Sequence, residues 1–152
     1  MELRAKIDKV LSSVLITIMA IMVINVLWQV FSRYFLGKPS SFTDELARYL
    51  MIWVGILGAA YVSGRNSHVA IDVLPSRLNN ARQKKLKTIV RILIILFSST
   101  ALVIGGGRLV YITYVLQQFS PALQMPLSVV YMVIPISGIL IIYYKVSDIL
   151  NS

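Results

Sequence analysis

Residues 29–74 read QVFSRYFLGKPSSFTDELARYLMIWVGILGAAYVSGRNSHVAIDVL. An apolar run closes at Phe31, Gly37-Lys38-Pro39 breaks the chain, and a second apolar run opens at Leu46 and lasts to Val62. Proline and glycine end helices and open turns, so the stretch reads as a membrane hairpin followed by the turn that leaves it. It also holds Asp44, Glu45 and Asp72, three of the six acidic residues, and the only histidine, His68.

Outward from the hairpin, composition fixes the class. Of 152 residues 57% are hydrophobic and 14% charged, and mean hydropathy is +0.77, whereas an ordinary soluble domain is roughly 25% charged. The expectation is an all-α integral membrane protein forming one domain over residues 1–152. A bilayer core takes about 20 apolar residues per helix. Four segments qualify: Val10–Phe31, Leu46–Val62, Ile89 to Ile104 with a possible extension to Leu116, and Leu127–Tyr144. The first lacks the small-residue cleavage pattern of a secretory signal and reads as a retained helix. With no cysteine in the chain, disulfides and thiolate metal sites are excluded.

Four spans leave both termini on one face. Of 15 basic residues, only Arg33, Lys38, Arg48 and Arg108 fall on the other face, so the positive-inside rule predicts cytoplasmic termini. The net charge of +9 is distributed beside spans rather than over a soluble surface. It fits contact with membrane lipids and argues against nucleic acid.

The hairpin supplies most candidate residues. Asn25 and Gln29 lie one turn apart in the first span and suit hydrogen bonds to a neighbouring helix. Ser41 and Thr43 are suitable N-caps, and Asp44 and Glu45 sit in a first turn that favours negative charge. Arg48 follows Glu45 by three residues, a spacing that allows an ion pair, and its side chain can also reach the interface. Arg33, Glu45 and Arg48 are therefore expected to form a polar cluster that orients the hairpin or meets another subunit. Gly55, Ala59 and Ser63 recur every four residues, a strip along which a sister helix or a partner chain can approach closely. Trp53 and Tyr49 stand beside it.

His68 and Asp72 are one helical turn apart if that stretch is helical, and a structural hydrogen bond is the expectation because a metal needs three or four ligands. Residues 75–87 set Leu78 and Leu86 against Arg77, Arg82, Lys84, Lys85 and Lys87, the pattern of an interfacial helix touching lipid headgroups. Ser98, Ala101 and Gly105 give the third span a small-residue face. Gly105-Gly106-Gly107 has no Gly-Lys-Ser/Thr continuation and is no phosphate loop. Pro135 is expected to kink the last span.

Absences narrow the function. All six acidic residues fall at expected span ends, which leaves no proton or ion relay within the membrane. The first span carries no carboxylate of the kind a four-helix drug exporter needs, and one histidine cannot ligate a haem from both sides. No catalytic, cofactor or metal residue is expected. The residues describe a membrane scaffold or accessory subunit.

Arg33-Tyr34-Phe35, Phe42-Thr-Asp-Glu-Leu-Ala-Arg48, Trp53, Gly58-Ala59-Ala60 and His68 with Asp72 together resemble the DctQ-type small membrane subunit of tripartite ATP-independent periplasmic (TRAP) transporters. Phe42 stands where that family often has tryptophan. The resemblance implies a bacterial inner-membrane assembly in which a periplasmic binding protein delivers a small organic anion. A large multispanning subunit then moves it by a sodium-coupled elevator motion, with sodium ions bound on that subunit. The small subunit braces the large one, and Arg33, Tyr34, Glu45 and Arg48 carry a role in hairpin structure or subunit contact. Carboxylates and sugar acids are the implied cargo, with general likeness leaning to sialic acid. Two other classes compete: an autonomous small transporter assembled through the Gly55, Ala59 and Ser63 strip, and an assembly factor for a different membrane complex.

Overall fold

The computed structural model describes residues 2–35, 37, 40–65 and 80–150, with side chains described for all of these except 2, 3 and 80–84. His68, Asp72, Arg77 and the side chains of Arg82 and Lys84 lie outside the described set, as do residues 75–79 of the expected interfacial helix. The elements are α1 (Glu2–Phe35), α2 (Ser41–Gly64), α3 (Asn80–Phe97), a π-helical segment (Ser98–Gly105), α4 (Gly106–Val115), α5 (Leu127–Tyr131) and α6 (Val133–Leu150). They compose four spans, Arg4–Phe35, Ser41–Gly64, Lys85–Val115 and Leu127–Leu150, each long and apolar enough to cross a membrane. This is the all-α, four-span architecture that hydropathy requires.

Each helix outruns its apolar stretch. The third span is prolonged through the π-segment to Val115, and residues 80–87 are the first turns of the same continuous helix. The second helix starts at Ser41 with Ser40 as its N-cap, and no side-chain bond closes that cap. The hydroxyl of Thr43 donates instead to Ser40 O at 2.9 Å, so neither expected cap acts as one. In the last span the helix breaks at Met132 between α5 and α6. Pro135 has no N–H to give the carbonyl of Tyr131, and the break falls at the turn that bond would have closed.

The helices lie in a row: α1 packs on α2, α2 on α6, and α6 on α3 and the π-segment. The second and fourth spans are the inner members, and the fourth is the most enclosed, with 39% of its apolar window buried against 11% for the first and third and 17% for the second. The core is small, formed by Leu11, Leu57, Ala60, Val133, Ile141 and Tyr144. In lipid this suffices, because close packing and polar contacts, rather than removal from water, hold helices together.

Glycine permits that packing at three places. A Cβ on Gly64 would lie 2.7 Å from the Tyr144 ring, one on Gly106 2.7 Å from Ile134, and one on Gly138 2.8 Å from Leu102. The expected strip behaves differently. Gly55 and Gly58 have nothing within 4 Å of such a Cβ, and Ala59 is exposed, while Ser63 is buried. At about 100° per residue, each four-residue step advances some 40°, so the strip winds from the open face at Gly55 into the bundle at Ser63. The small face expected at Ser98, Ala101 and Gly105 is also redrawn. The Gly106 N–H reaches Ala101 O, a bond five residues long, and this wider turn buries Ser98 and Gly106 while leaving Ala101 and Gly105 exposed.

Candidate functional site

Two groups of polar side chains tie the row together, one at each end. At the end where α1 begins and α6 finishes, α2 terminates at Gly64 and leaves its last carbonyls without helical partners. Cations supply the missing bonds, as the helix dipole favours. Arg4 donates to Gly64 O, and the Lys145 ammonium donates to Ser63 O at 2.8 Å. Asp148 balances them: its Oδ1 accepts from Arg4 Nη1 at 2.7 Å, and its Oδ2 is 3.6 Å from Lys145 Nζ. Arg91 donates to Asp148 O at 3.0 Å, which brings in the third span. The Tyr144 hydroxyl donates to Asp8 Oδ1 at 2.5 Å, and the Arg4 guanidinium lies 5.5 Å from the Tyr144 ring centroid. All four spans meet in this network, and the Lys145 and Asp148 side chains are each only 3% exposed.

The opposite end is tied through the start of α2. Asn25 donates to Thr43 O at 2.7 Å and Gln29 to Asp44 Oδ1 at 3.4 Å, so both amides of the first span perform the expected bridging. Arg48 pairs with Asp44, one full turn back, and not with Glu45. The carboxylate of Glu45 turns the other way. Its Oε2 accepts the backbone N–H groups of Ala122 at 2.8 Å and Leu123 at 2.9 Å, and its Oε1 accepts the Tyr49 hydroxyl at 2.8 Å. Glu45 thereby clamps the turn between the third and fourth spans. That turn contains Gln117 and Gln124 in the left-handed region, at φ 46° and 54°, a conformation costing roughly 1–2 kcal/mol per non-glycine residue. Trp53 adds a bond from its indole N–H to Val130 O at 3.1 Å, just before the helix break.

The remaining candidates are distributed along the surface. Arg33 and Tyr34 stand exposed at the far end of α1, and Arg33 makes no ion pair with Glu45 among the described residues, so the expected three-residue cluster does not form. Gly55 and Ala59 lie on an open face. Lys85 is exposed and Lys87 half-buried in the first turns of the third span. Among the described residues no three His, Cys, Asp or Glu side chains converge as metal ligands. The groove lined by Ser41, Asp44, Glu45, Arg48, Pro121 and Ala122 presents polar atoms already bonded to one another.

Sequence reasoning took Arg4, Arg91 and Lys145 for topology charges and missed that they converge. The available signals were Arg4 with Asp8 at i,i+4 and Lys145 with Asp148 at i,i+3, opposite charges on the apolar helices at the two chain ends. The Glu45 clamp had no local signal, since its acceptor role is satisfied 77 and 78 residues away.

Four apolar spans in a row, tied at both ends and largely uncovered between them, define a small multi-pass membrane protein. Residues 12–152 match the family described as tripartite ATP-independent periplasmic transporters, DctQ component. The chain belongs to this family, the small permease subunits of TRAP transporters. It is 33% identical over 135 residues, 89% of this chain and 82% of the relative, to a candidate TRAP transporter small permease protein of Haemophilus influenzae. It is 25% identical over 154 aligned positions, 98% of this chain and 84% of the relative, to the sialic acid TRAP transporter small permease protein SiaQ of Vibrio cholerae. It is also 30% identical over 95 residues, 62% of this chain, to 15% of the isethionate TRAP transporter permease protein DctMQ of Oleidesulfovibrio alaskensis.

Proposed function

We propose that this chain is the static frame of a TRAP transporter, bracing a large multispanning subunit while that subunit carries a small organic anion across the inner membrane. The observation that carries the reading is the contrast between firmly tied ends and uncovered sides. Arg4, Asp148 and Lys145 fasten one end and Glu45 the other, yet three of the four spans bury no more than 17% of their apolar windows. Such a bundle holds its own shape and leaves its flanks for lipid and a partner. The DctMQ relative supports the pairing, because there the matched segment is 15% of a much longer permease chain.

The termini lie in the cytoplasm, following the basic-residue count, which places the Glu45 clamp on the periplasmic side. There a substrate-binding protein hands over cargo, and sodium ions bind on the large subunit rather than on this one. The basic residues Arg77, Arg82, Lys84, Lys85 and Lys87 meet lipid headgroups on the cytoplasmic side. Relatives named for sialic acid and for isethionate both imply a small anion, and sialic acid is the first to try. The test is reconstitution in proteoliposomes of the large subunit, the binding protein and a sodium gradient, with and without this chain. Uptake only in its presence supports the frame. Uptake by this chain alone contradicts it.

A further inference from the structure

A serine or threonine inside a helix commonly gives its proton to the carbonyl one turn back. Thr17, Thr100, Thr113 and Ser137 do so here, donating to Ser13, Leu96, Leu109 and Val133 at 2.8–2.9 Å. Ser63 in the last turn of α2 does not. It is 2% exposed, and its Oγ, hidden from solvent, has no hydrogen-bond partner among the described residues. A buried hydroxyl left unpaired is costly, and native interiors pair such groups with protein or with ordered water.

The surroundings of Ser63 limit what can pair with it. Its carbonyl accepts from Lys145 Nζ at 2.8 Å, so the ammonium lies against the residue that carries the hydroxyl. An ammonium has three N–H donors, and this bond uses one. Asp148 Oδ2 is 3.6 Å from the same nitrogen, too far for a direct hydrogen bond and a separation that a bridging water closes. A metal cation at this point would be repelled by Lys145 and Arg4, and a halide by the Asp148 carboxylate. An apolar filling would leave the hydroxyl unpaired. Water suits all three groups: its oxygen accepts from Lys145, and its hydrogens go to Asp148 and Ser63. Three partners is about the usual number for a buried water.

We propose that a water molecule is bound inside the bundle at the end of α2, accepting from Lys145 Nζ and donating to Asp148 Oδ2 and Ser63 Oγ, so that the Lys145–Asp148 pair closes through water. Such a water lowers the cost of holding two charges in an apolar row, because neither ion is stripped of all its hydration. The first experiment is a crystal structure of the full chain, or cryo-electron microscopy of its native assembly, at a resolution that shows waters. A peak within hydrogen-bond reach of Lys145 Nζ, Asp148 Oδ2 and Ser63 Oγ is expected. A Ser63 hydroxyl turned back onto Ala59 O, or a direct Lys145–Asp148 bond with no peak beside it, overturns the inference. So does a halide at the peak, revealed by anomalous scattering when bromide replaces chloride. The second experiment is X-ray radiolytic footprinting of the full chain in detergent, where bound water is the source of the hydroxyl radicals that label adjoining side chains. Lys145, although 2% exposed, should be labelled, while Val133, 1% exposed in the core, should not. Ser63→Val, which sets a methyl group where the water binds, should lower Lys145 labelling several-fold, and Ser63→Ala, which only removes a partner, should lower it less. Circular dichroism and size exclusion report the folding of each variant. An unlabelled Lys145 in the wild type, or undiminished labelling in whichever variant folds, overturns the inference.

Discussion

Replacing Glu45 by glutamine exchanges a carboxylate for a neutral amide at the point where the Ala122 and Leu123 N–H groups are received, at 2.8 and 2.9 Å. The glutamine carbonyl can keep both donors, and its NH2 can face the Tyr49 hydroxyl, so geometry survives while charge assistance is lost. A hydrogen bond to a charged group contributes about 1.5–3 kcal/mol and a neutral one about 0.5–1.5. Two bonds lose that assistance, and exposure at the rim of the bundle screens part of the loss. Hydrogen exchange of the intact chain in detergent reads that energy locally. The amides of Ala122 and Leu123 should exchange several-fold faster than in the wild type. Glu45→Ala, which removes the acceptor altogether, should exceed this. The Ser120 amide, bonded to Met125 O within the same turn, should follow, while amides near Asp148 stay unchanged. Unaltered exchange at 122 and 123 in both variants would refute the clamp.

Other variants probe the rest of the frame. Asp148→Asn leaves Arg4 and Lys145 without their buried counter-charge, and thermal unfolding in detergent should show a loss of about 3–5 kcal/mol. Gly64→Ala should destabilise the isolated chain by about 1–3 kcal/mol through its clash with the Tyr144 ring. Gly55→Ala, with nothing nearby, should leave the isolated chain as stable or slightly more so. Gly55→Leu should spare that stability but lower recovery of the large subunit; unchanged recovery removes the open strip from the contact. Trp53→Phe deletes the bond to Val130 O and should cost about 1 kcal/mol in the same unfolding assay.

The fold was legible where physics is local. Runs of about 20 apolar residues mark spans because the bilayer sets that length, and Pro135 announced a break because it lacks a donor. Span ends were less legible. Arg4, Asp8, Lys145 and Asp148 sit inside the helices, yet hydropathy counts a charge as an exit whether it meets water or another charge. The Asp44–Arg48 and Glu45–Arg48 pairings satisfy the same helical spacing rule, and the choice between them was made by the 120–123 turn, which competes for Glu45. The π-segment, with Gly138 against Leu102 and Val103, shifted the face that regular helix spacing assigns to Ser98, Ala101 and Gly105. What was legible of function lay in the Arg33–Arg48 motif. Of those residues, Asp44, Glu45 and Arg48 are engaged within the chain, while Arg33 and Tyr34 remain on the surface.

The frame reading is tested most directly by tagging this chain in its native membrane, extracting it in mild detergent and weighing the intact assembly by native mass spectrometry. A stoichiometric complex with one much larger multispanning protein is the expected result. Recovery of this chain only with copies of itself, under conditions that preserve other membrane complexes, would contradict the frame and favour a small transporter acting alone.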